Sequence, residues 1–177
     1  QITVPRFSTD LPEFKAAEEA VKARIQKLFN IKGKRSVDSI HKELGRVMWD
    51  YVGMGRTAEG LKVGLEKMKE IRKEFYSNLF VPGTADGVNV ELEKAIRLED
   101  FIVMGELIAH DALTRNESCG GHFREEYQTE EGEAKRDDEN FFYVSCWDYQ
   151  GSDEKAPKLI KEPLHYEAIK VQTRNYK

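Results

Sequence analysis

The sequence has little of what several classes of protein require. Its 177 residues include two cysteines, Cys119 and Cys146, which are too few for a disulfide scaffold and favour a reduced, cytosolic setting. The longest uncharged apolar run is well short of the ~18 residues that a membrane span needs. The N-terminus lacks an initiator methionine and the basic-then-apolar layout of a secretion signal, so we expect a processed chain or a fragment of a longer one.

A concentrated basic patch is also missing, and the excess charge is acidic and local. The chain carries a net charge of −4, whereas residues 117–139 alone carry nine acids and three bases, a net −6. Because phosphate binding needs clustered Lys and Arg, we expect no nucleic-acid partner. Aromatic residues make up 10% of the chain, which argues against disorder and favours one folded domain, or one domain with an appendage.

Glycine-rich phosphate loops are absent as well. Gly33-Lys34 has the end of a P-loop motif, but Leu28 stands where the first glycine is needed and Arg35 where a Ser or Thr is needed. No G-x-G-x-x-G sequence follows a predicted strand. We therefore expect no dinucleotide cofactor to be bound by this chain.

Four stretches with apolar residues at helical spacing precede residue 116. We expect Asp10, Ser36, Thr57 and Asn89 to cap the N-termini of these four helices. Short loops between helices imply antiparallel neighbours, so the sequence predicts a mainly α fold. This fold is an up-and-down antiparallel bundle over residues 1–116, with three long helices and a preceding helix. In that preceding helix the residues expected to face the core are Phe14, Ala17, Val21, Ile25 and Leu28.

After Asn116 the helical period stops. Residues 141–149 form an aromatic, β-prone run, and residues 165–172 form a second candidate strand after a polar loop at 150–158. The two runs predict a short antiparallel hairpin. We therefore expect residues 117–177 to form an acidic loop and a β-hairpin tail, packed on the bundle as one structural unit or docked on partners.

The segment 117–142, with the sequence ESCGGHFREEYQTEEGEAKRDDENFF, is the main candidate for function. Its adjacent glycines at 120 and 121 allow unusual backbone conformations and close approach. Arg124 and Arg136 have many carboxylates nearby with which they can pair, and such pairing could hold the segment in one shape. A docking surface and a solvated acidic loop both fit this composition.

A metal site or a catalytic cysteine fits the sequence less well. Cys119, His122, Cys146 and His165 are residue types that bind zinc, but their spacing is irregular and the C-x-x-C knuckle is missing. Cys119 and His122 could also act as nucleophile and base, although the sequence offers no clear triad.

Residues within the helices favour packing over chemistry. Glu106 and His110 lie one helical turn apart and could do acid–base work, but such pairs are more often surface or interhelical contacts. Trp49 is interpreted as a core or interface aromatic residue, and Met54 as core filler.

The segment 117–142 resembles the Glu-Ser-x-Gly-x-His-x-Arg … Arg-Asp-Asp-x-x-Phe stretch of succinate dehydrogenase and fumarate reductase flavoprotein subunits. Residues 43–61, ELGRVMWDYVGMGRTAEGL, resemble a helix–turn–helix of the same superfamily, which includes L-aspartate oxidase. The ending YEAIKVQTRNYK is similar to the C-terminus of the longer-looped bacterial members. The chain resembles only the last quarter to third of such a flavoprotein. The matching residues are Glu117, Ser118, Gly120, His122, Arg124, Arg136, Asp137, Asp138 and Phe141.

The resemblance implies that this chain holds no catalytic residue, cofactor or metal, and that the nine matching residues do structural and interface work. FAD and the substrate-binding residues would lie upstream in the full-length subunit, which interconverts succinate and fumarate and passes electrons through iron–sulfur clusters to a quinone. The implied partners are the upstream FAD and capping domains, the iron–sulfur subunit and, indirectly, a membrane anchor subunit. The implied location is cytoplasmic and peripheral to the inner membrane, and the isolated chain is expected to be inactive.

The resemblance has departures, and two alternatives stay open beside it. Many relatives carry Arg where this chain has Cys119 and Ala where it has Gly121, and the acidic loop is longer than in many of them. The chain could instead be a stand-alone helical module that uses its acidic loop to bind a basic partner. It could also be the equivalent domain of L-aspartate oxidase, although the extended tail argues against that enzyme.

Overall fold

A computed structural model describes residues 7–151 and 155–172, and within these residues the chain is mainly helical, as the sequence predicts. No helix in the described residues combines the length and the apolar character needed to cross a membrane. The elements in chain order are α1 Pro12–Ile31, β1 Arg35–Ser36, α2 Val37–Val52, α3 Ala58–Asn78, β2 Leu79–Phe80, α4 Val90–Thr114, α5 Asp138–Phe141, β3 Tyr143–Asp148 and β4 Lys158–Pro163.

Three of the four predicted N-terminal caps are confirmed. The Ser36 hydroxyl accepts from the backbone N–H of Ser39 at 3.3 Å, and the Thr57 hydroxyl accepts from Gly60 at 3.0 Å. The Asn89 side chain accepts from Leu92 at 3.0 Å. Each bond satisfies a backbone donor that the first turn of a helix leaves unpaired.

The cap predicted at Asp10 is wrong by one residue. Leu11 is the N-cap of α1 and makes no side-chain capping bond. Asp10 instead forms a local turn, in which the Ser8 hydroxyl donates to the Asp10 carboxylate at 3.0 Å and accepts from the Asp10 backbone N–H at 3.1 Å. Pro12 has no backbone N–H that would need an acceptor, so the helix can begin there without a side-chain cap.

The chain divides into two compact units that each take part of helices α2, α3 and α4. Unit 1 comprises residues 1–43 and 71–100, and unit 2 comprises residues 44–70 and 101–177. The division into a helical bundle at residues 1–116 and a tail at residues 117–177 stays a prediction.

Unit 1 has an apolar core, and beside it the backbone at Gly33 lies very close to the backbone at the end of α3. Strand β1 pairs in parallel with β2, and the Gly33 backbone N–H donates to the Leu79 carbonyl at 2.8 Å. A Cβ atom at Gly33 would lie 1.9 Å from the carbonyl oxygen of Asn78, so this approach requires glycine. The buried residues of unit 1 are Leu28, Val37, Ile40, Ile71, Phe75, Leu79, Val81, Ala95 and Leu98.

The predicted buried face of α1 is only partly correct. Leu28 is 1% exposed and Ile25 is half-buried, but Phe14 is 50% exposed and Val21 is 58% exposed. Ala17 is exposed as well. Helical spacing predicts which side chains share a face, but burial also requires another element to cover that face, and the first half of α1 lacks such cover among the described residues.

Unit 2 contains the C-terminal β-hairpin, whose second strand lies earlier than predicted. Strand β3 falls within the predicted run at 141–149, whereas β4 is Lys158–Pro163 and not residues 165–172. The register pairs Asp148 with Lys158 and Tyr143 with Pro163. Because the strand is selected by pairing with β3, a segment with few apolar residues of its own forms it, and Pro163 occupies the end of the ladder. The last residues of the predicted tail, 173–177, lie outside the described residues.

Candidate functional site

The first half of the segment 117–142 forms tight turns in unit 2. Cys119 and His122 exchange two backbone hydrogen bonds of 2.8 and 3.0 Å, and the two intervening glycines form the turn. Gly120 has a φ of +59°, a left-handed conformation that glycine adopts without steric cost. Further along, Gln128 and Ala134 form an isolated bridge that closes a second turn.

Glu117 and Ser118 are buried where the segment leaves α4. Glu117 is 2% exposed, and its two carboxylate oxygens accept from Arg115 Nε and from the Asp137 backbone N–H, both at 2.8 Å. The Ser118 hydroxyl accepts from the Arg124 N–H at 2.8 Å and donates to the Arg124 carbonyl at 3.1 Å. These bonds satisfy buried polar groups that would otherwise be costly.

Arg124 has a buried guanidinium at the C-terminal end of α4. It is 2% exposed, and its Nη1 donates to the carbonyls of Ala112 and Leu113 at 3.0 and 3.4 Å. Its Nε donates to Glu126 at 3.1 Å. The last carbonyls of a helix have no intrahelical donors and carry partial negative charge, so a guanidinium is favourable there.

Arg56 connects the same segment to the turn between α2 and α3. Its Nε donates to the carbonyls of Val52 and Gly53 at the end of α2, at 3.1 and 3.0 Å. Its backbone N–H donates to the Phe123 carbonyl at 3.1 Å, and its carbonyl accepts from the Glu125 N–H at 2.8 Å. Arg56 therefore fixes the turn with its side chain and the segment with its backbone.

His122 lies between two of the arginines, and its hydrogen bonds determine its tautomer. Its Nδ1 lies 2.9 Å from Arg56 Nη1, and its Nε2 lies 2.9 Å from the Arg115 carbonyl. A guanidinium can only donate and a carbonyl can only accept, so Nδ1 is the acceptor and Nε2 carries the hydrogen. Burial lowers the pKa of His122 below 6.5, the positive charges of Arg56, Arg124 and Arg115 lower it further, and the bond to the Arg115 carbonyl acts in the opposite direction.

Glu126 caps the N-terminus of α3 from the other side of the segment. One carboxylate oxygen accepts from the Ala58 backbone N–H, and the other accepts from Arg124. Partial burial alone would raise the pKa of Glu126, but the hydrogen bonds from Ala58, from its own backbone N–H and from Arg124 outweigh it and leave the pKa below its usual value of 4.5.

These side chains form two hydrogen-bonded sets, one around His122 and one around Arg124, which the backbone of the segment joins and which we together call the polar cluster. It bonds to the ends of α2 and α4 and to the start of α3, and every buried side-chain N or O atom in the described residues has a hydrogen-bond partner. Such a network can fix the positions of three helix ends relative to the segment, and it has no spare buried group to offer a substrate. The polar cluster consists of Arg56, Arg115, Glu117, His122, Arg124 and Glu126.

The second half of the segment lies nearer the surface. Arg136 donates from Nε to Asp138 at 2.9 Å and from Nη1 to the Gln172 carbonyl at 3.2 Å. Asp137 caps the short helix α5 by accepting from the Asn140 N–H at 3.2 Å. Phe141 is half-buried beneath the Arg115 guanidinium, which lies 5.8 Å from the ring centroid.

The nine residues identified by resemblance differ in burial. Glu117, Ser118 and Arg124 are buried, whereas Asp138 and the glycine at 120 are exposed. The residues at 122, 136, 137 and 141 are intermediate. Their assignment as an interface motif stays a prediction.

Sequence reasoning did not single out Arg56, Arg115 or Glu126 as site residues. The Arg56 signal was present, since this arginine belongs to the 43–61 stretch that carries the second resemblance. Arg115 and Glu126 had no comparable signal, because their roles depend on helix ends that meet only in the folded chain.

The structure also locates the residues considered for other chemistry. Among the described residues, no group of three or more His, Cys, Asp and Glu side chains is placed to hold a metal ion. Cys146 is exposed on β3, and the His110 ring packs against Trp147 at a centroid distance of 4.8 Å.

Two side chains expected in the core lie in solvent. Trp49 is 83% exposed and Met54 is 91% exposed. The prediction that Met54 fills the core is therefore wrong, because Met54 lies on the turn after α2 and not on the buried face of that helix. Trp49 is not a core residue either, and its interpretation as an interface residue stays a prediction.

The described residues contain no strand–turn–helix unit of the glycine-rich kind that binds a dinucleotide. The strands β1 and β2 are two residues each, and neither leads through a glycine-rich turn into a helix as a dinucleotide site requires. A surface pocket of about 370 Å³ lies along residues 82–91, and its lining includes Glu91 but no Lys or Arg that could pair with a diphosphate. That FAD is bound outside this chain stays a prediction.

Sequence comparison assigns this architecture to a family. Residues 41–176 match the family described as fumarate reductase flavoprotein C-term. The chain is 36% identical over 111 residues to an uncharacterized FAD-dependent oxidoreductase of Methanocaldococcus jannaschii, covering 63% of this chain and 20% of that protein. It is 32% identical over 139 residues to the fumarate reductase flavoprotein subunit of Proteus vulgaris, covering 78% of this chain and 22% of that subunit.

Comparison of structures leads to the same family. The chain superposes on the flavoprotein of Escherichia coli quinol fumarate reductase with a TM-score of 0.75 at 25% identity, covering 94% of this chain and 27% of that one. The chain therefore spans about a fifth to a quarter of the length of the proteins it matches. It belongs to the family of C-terminal helical domains of succinate dehydrogenase and fumarate reductase flavoprotein subunits.

Proposed function

We propose that this chain closes against the FAD domain of a succinate dehydrogenase or fumarate reductase flavoprotein subunit and contacts the iron–sulfur subunit of the complex. The observation that carries the proposal is the family match over residues 41–176, in a chain that spans about a fifth of the curated relatives. In the complete enzyme, FAD supplies hydride transfer to or from the dicarboxylate, and electrons pass through iron–sulfur clusters to a quinone. The subunit is cytoplasmic and is held at the inner membrane through an anchor subunit.

The residues of this chain serve that enzyme by positioning and not by bond-making. The polar cluster satisfies its own buried groups and ties three helix ends together, which supports a structural role. The substrate-binding residues and the FAD site lie upstream, so the chain alone is inactive and holds no flavin.

Flavin retention and turnover test the absence of chemistry in the chain. The purified chain is incubated with FAD and desalted, and its visible flavin absorbance is measured. The same sample is then assayed for succinate oxidation with an artificial electron acceptor. We expect neither flavin nor turnover, and a stoichiometric flavin band or measurable turnover would contradict the proposal.

The exposed half of the segment 117–142 provides the docking contact in this proposal. The Arg136 side chain is 22% exposed and the Asp138 side chain is 51% exposed, so both are accessible to a partner surface. Arg124 is buried, and reversing its charge would disturb the fold as well as any interface. Arg136 is therefore the better position at which to test docking.

The docking test uses the complete flavoprotein and its iron–sulfur subunit. Arg136→Glu is expected to reduce the amount of iron–sulfur subunit that co-purifies with the flavoprotein and to slow electron transfer to quinone. Arg97→Glu is the control, because Arg97 is 68% exposed on α4 and pairs with Glu93. If Arg136→Glu left both assembly and electron transfer at the control level, the docking role would be wrong.

A further inference from the structure

One histidine side chain joins the segment 117–142 both to the α2–α3 turn and to the end of α4. His122 accepts from Arg56 of the α2–α3 turn and donates to the Arg115 carbonyl at the end of α4. The turn 119–122 is closed by its own two hydrogen bonds, so His122 is the side chain that attaches this turn to its neighbours.

The bond to Arg56 exists only while His122 is neutral. Protonation places a hydrogen on Nδ1, and Nδ1 can then no longer accept from the Arg56 guanidinium. The same proton adds a positive charge 2.9 Å from a second positive group. Protonation therefore replaces a hydrogen bond with a repulsion between like charges.

The charged groups around His122 make this repulsion hard to relieve within the folded arrangement. Arg56 faces the ring from the α2–α3 turn, Arg115 from the end of α4, and Arg124 from the same segment, and all three disfavour the protonated form.

The nearby carboxylates are already engaged by other groups. Glu117 is bonded to Arg115 and to a backbone N–H, and Glu126 is bonded to Arg124 and to the first turn of α3. Asp111 on α4 accepts from Trp147 Nε1 at 2.7 Å. No carboxylate of these three forms a hydrogen bond to His122 that could stabilise its charge within the described residues.

We propose that His122 is a pH-sensitive switch. The neutral ring holds residues 119–125 against the α2–α3 turn, and the protonated ring releases them. We expect this release to break the backbone bonds of Arg56 to Phe123 and Glu125, because these bonds lie directly beside the Arg56–His122 contact. The inference concerns this chain alone and does not depend on the docking function proposed above.

The direction of the pH dependence follows from the lowered pKa of the closed form. Because burial holds the pKa of His122 in the closed form below its ordinary value of 6.5, the open form binds a proton more readily than the closed form. The closed state is therefore fully favoured above pH 6.5 and loses stability as the pH falls below it. Lowering the pH from 7.5 to 5.5 should raise the opening constant by up to about tenfold.

Amide hydrogen exchange of the whole chain measures this opening. Exchange of the 119–127 backbone amides, corrected for the intrinsic pH dependence of exchange, is compared between pH 7.5 and 5.5. We expect an increase of up to about tenfold in the opening constant of this region. An opening constant that does not change with pH would overturn the proposal.

Two variants separate the switch from a general effect of acid. His122→Gln keeps an acceptor for Arg56 and a donor for Arg115 but cannot be protonated, so we expect the pH dependence to disappear. His165→Gln replaces an exposed histidine outside the cluster and should keep the wild-type pH dependence. If His122→Gln opened with the same pH dependence as the wild-type protein, the proposal would be wrong.

Nitrogen NMR of the wild-type imidazole gives a second test that does not depend on whether a variant folds. At pH 7.5 we expect a protonated Nε2 and an unprotonated Nδ1 for His122. A hydrogen on Nδ1 at that pH would mean that the ring does not accept from Arg56, and the switch would be excluded.

Discussion

Unit 1 and unit 2 bury different kinds of side chain. In the described part of unit 1 the fully buried residues are apolar, with Phe75 and Leu28 among the largest. Unit 2 also buries apolar residues, but Arg124, Glu117 and Ser118 lie among them at 2% exposure or less. Apolar burial stabilises in rough proportion to area, whereas a buried charge stabilises only when every partner is in place. The comparison predicts that unit 2 is the more sensitive of the two to single polar substitutions, to acid and to salt.

The largest expected effect is the loss of the Arg124 guanidinium. Arg124→Met keeps an unbranched chain but removes the bonds to the Ala112 carbonyl and to Glu126, so we expect a loss of about 4 kcal/mol in the free energy of unfolding. Urea denaturation measures it. Arg97→Met on the exposed face of α4 is the matched control and should change stability by less than about 0.5 kcal/mol. Equal small losses in both variants would remove the distinction between the two units.

In unit 1 the largest effect is expected from a single added methyl group. Gly33→Ala would place Cβ 1.9 Å from the Asn78 carbonyl oxygen, and backbone must move to accept it, which should cost about 3 kcal/mol. Gly45→Ala is the control, since nothing lies within 4 Å of a Cβ there and alanine favours the helix by about 0.5–1 kcal/mol. The two variants should shift the urea midpoint in opposite directions, and a neutral Gly33→Ala would mean that unit 1 is less tightly packed than we describe.

A smaller effect is expected where the hairpin contacts α4. Trp147→Phe keeps an aromatic ring but loses the 2.7 Å bond from Nε1 to the Asp111 carboxylate, so we expect a loss of about 1.5–2 kcal/mol. Tyr149→Phe, at a side chain that is 66% exposed, should be close to neutral. Thermal unfolding followed by circular dichroism distinguishes the two. If Trp147→Phe were as neutral as its control, polar contacts in unit 2 would matter less than the comparison predicts.

The smallest expected effect is on the stability of the folded chain at acidic pH. Hydrogen bonds hold the pKa of Glu126 below 4.5 in the folded chain, so the unfolded chain binds a proton more readily. The contribution of this carboxylate to stability is present above pH 4.5 and is lost as the pH falls through the folded pKa. Glu126→Gln should flatten the acid limb of the stability profile relative to the wild-type protein, measured by urea denaturation of both from pH 3 to 6. An unchanged limb in Glu126→Gln would contradict the bond to the N-terminus of α3.

The helices of this chain could be predicted because their signals are local. Ser36, Thr57 and Asn89 each act on backbone donors three residues later, so the sequence near each residue was sufficient. Asp10 was a weaker case, because Ser8 offered a competing local partner. Strand β4 was predicted at the wrong residues because strand formation depends on a partner that lies ten or more residues away.

The polar cluster was only partly predictable for the same reason. The resemblance identified Glu117, His122 and Arg124, but it did not indicate which helix ends they would contact. Arg56 and Glu126 act on groups 66 and 68 residues away in sequence, and no local pattern reports such a distance. The burial of Arg124 was likewise unexpected, because arginine is rarely buried unless it is paired.

The sequence by itself determined the helical periods, most of the helix caps and the motif that carries the family. Each of these depends on residues within one or two turns of each other, so it can be recognised without knowing the fold. The tertiary structure alone decided that the first half of α1 is exposed, that Lys158–Pro163 is the second strand and that Arg56 meets His122. Those outcomes depend on which surfaces cover one another, and the free energy of covering a surface is settled only when the whole chain has folded.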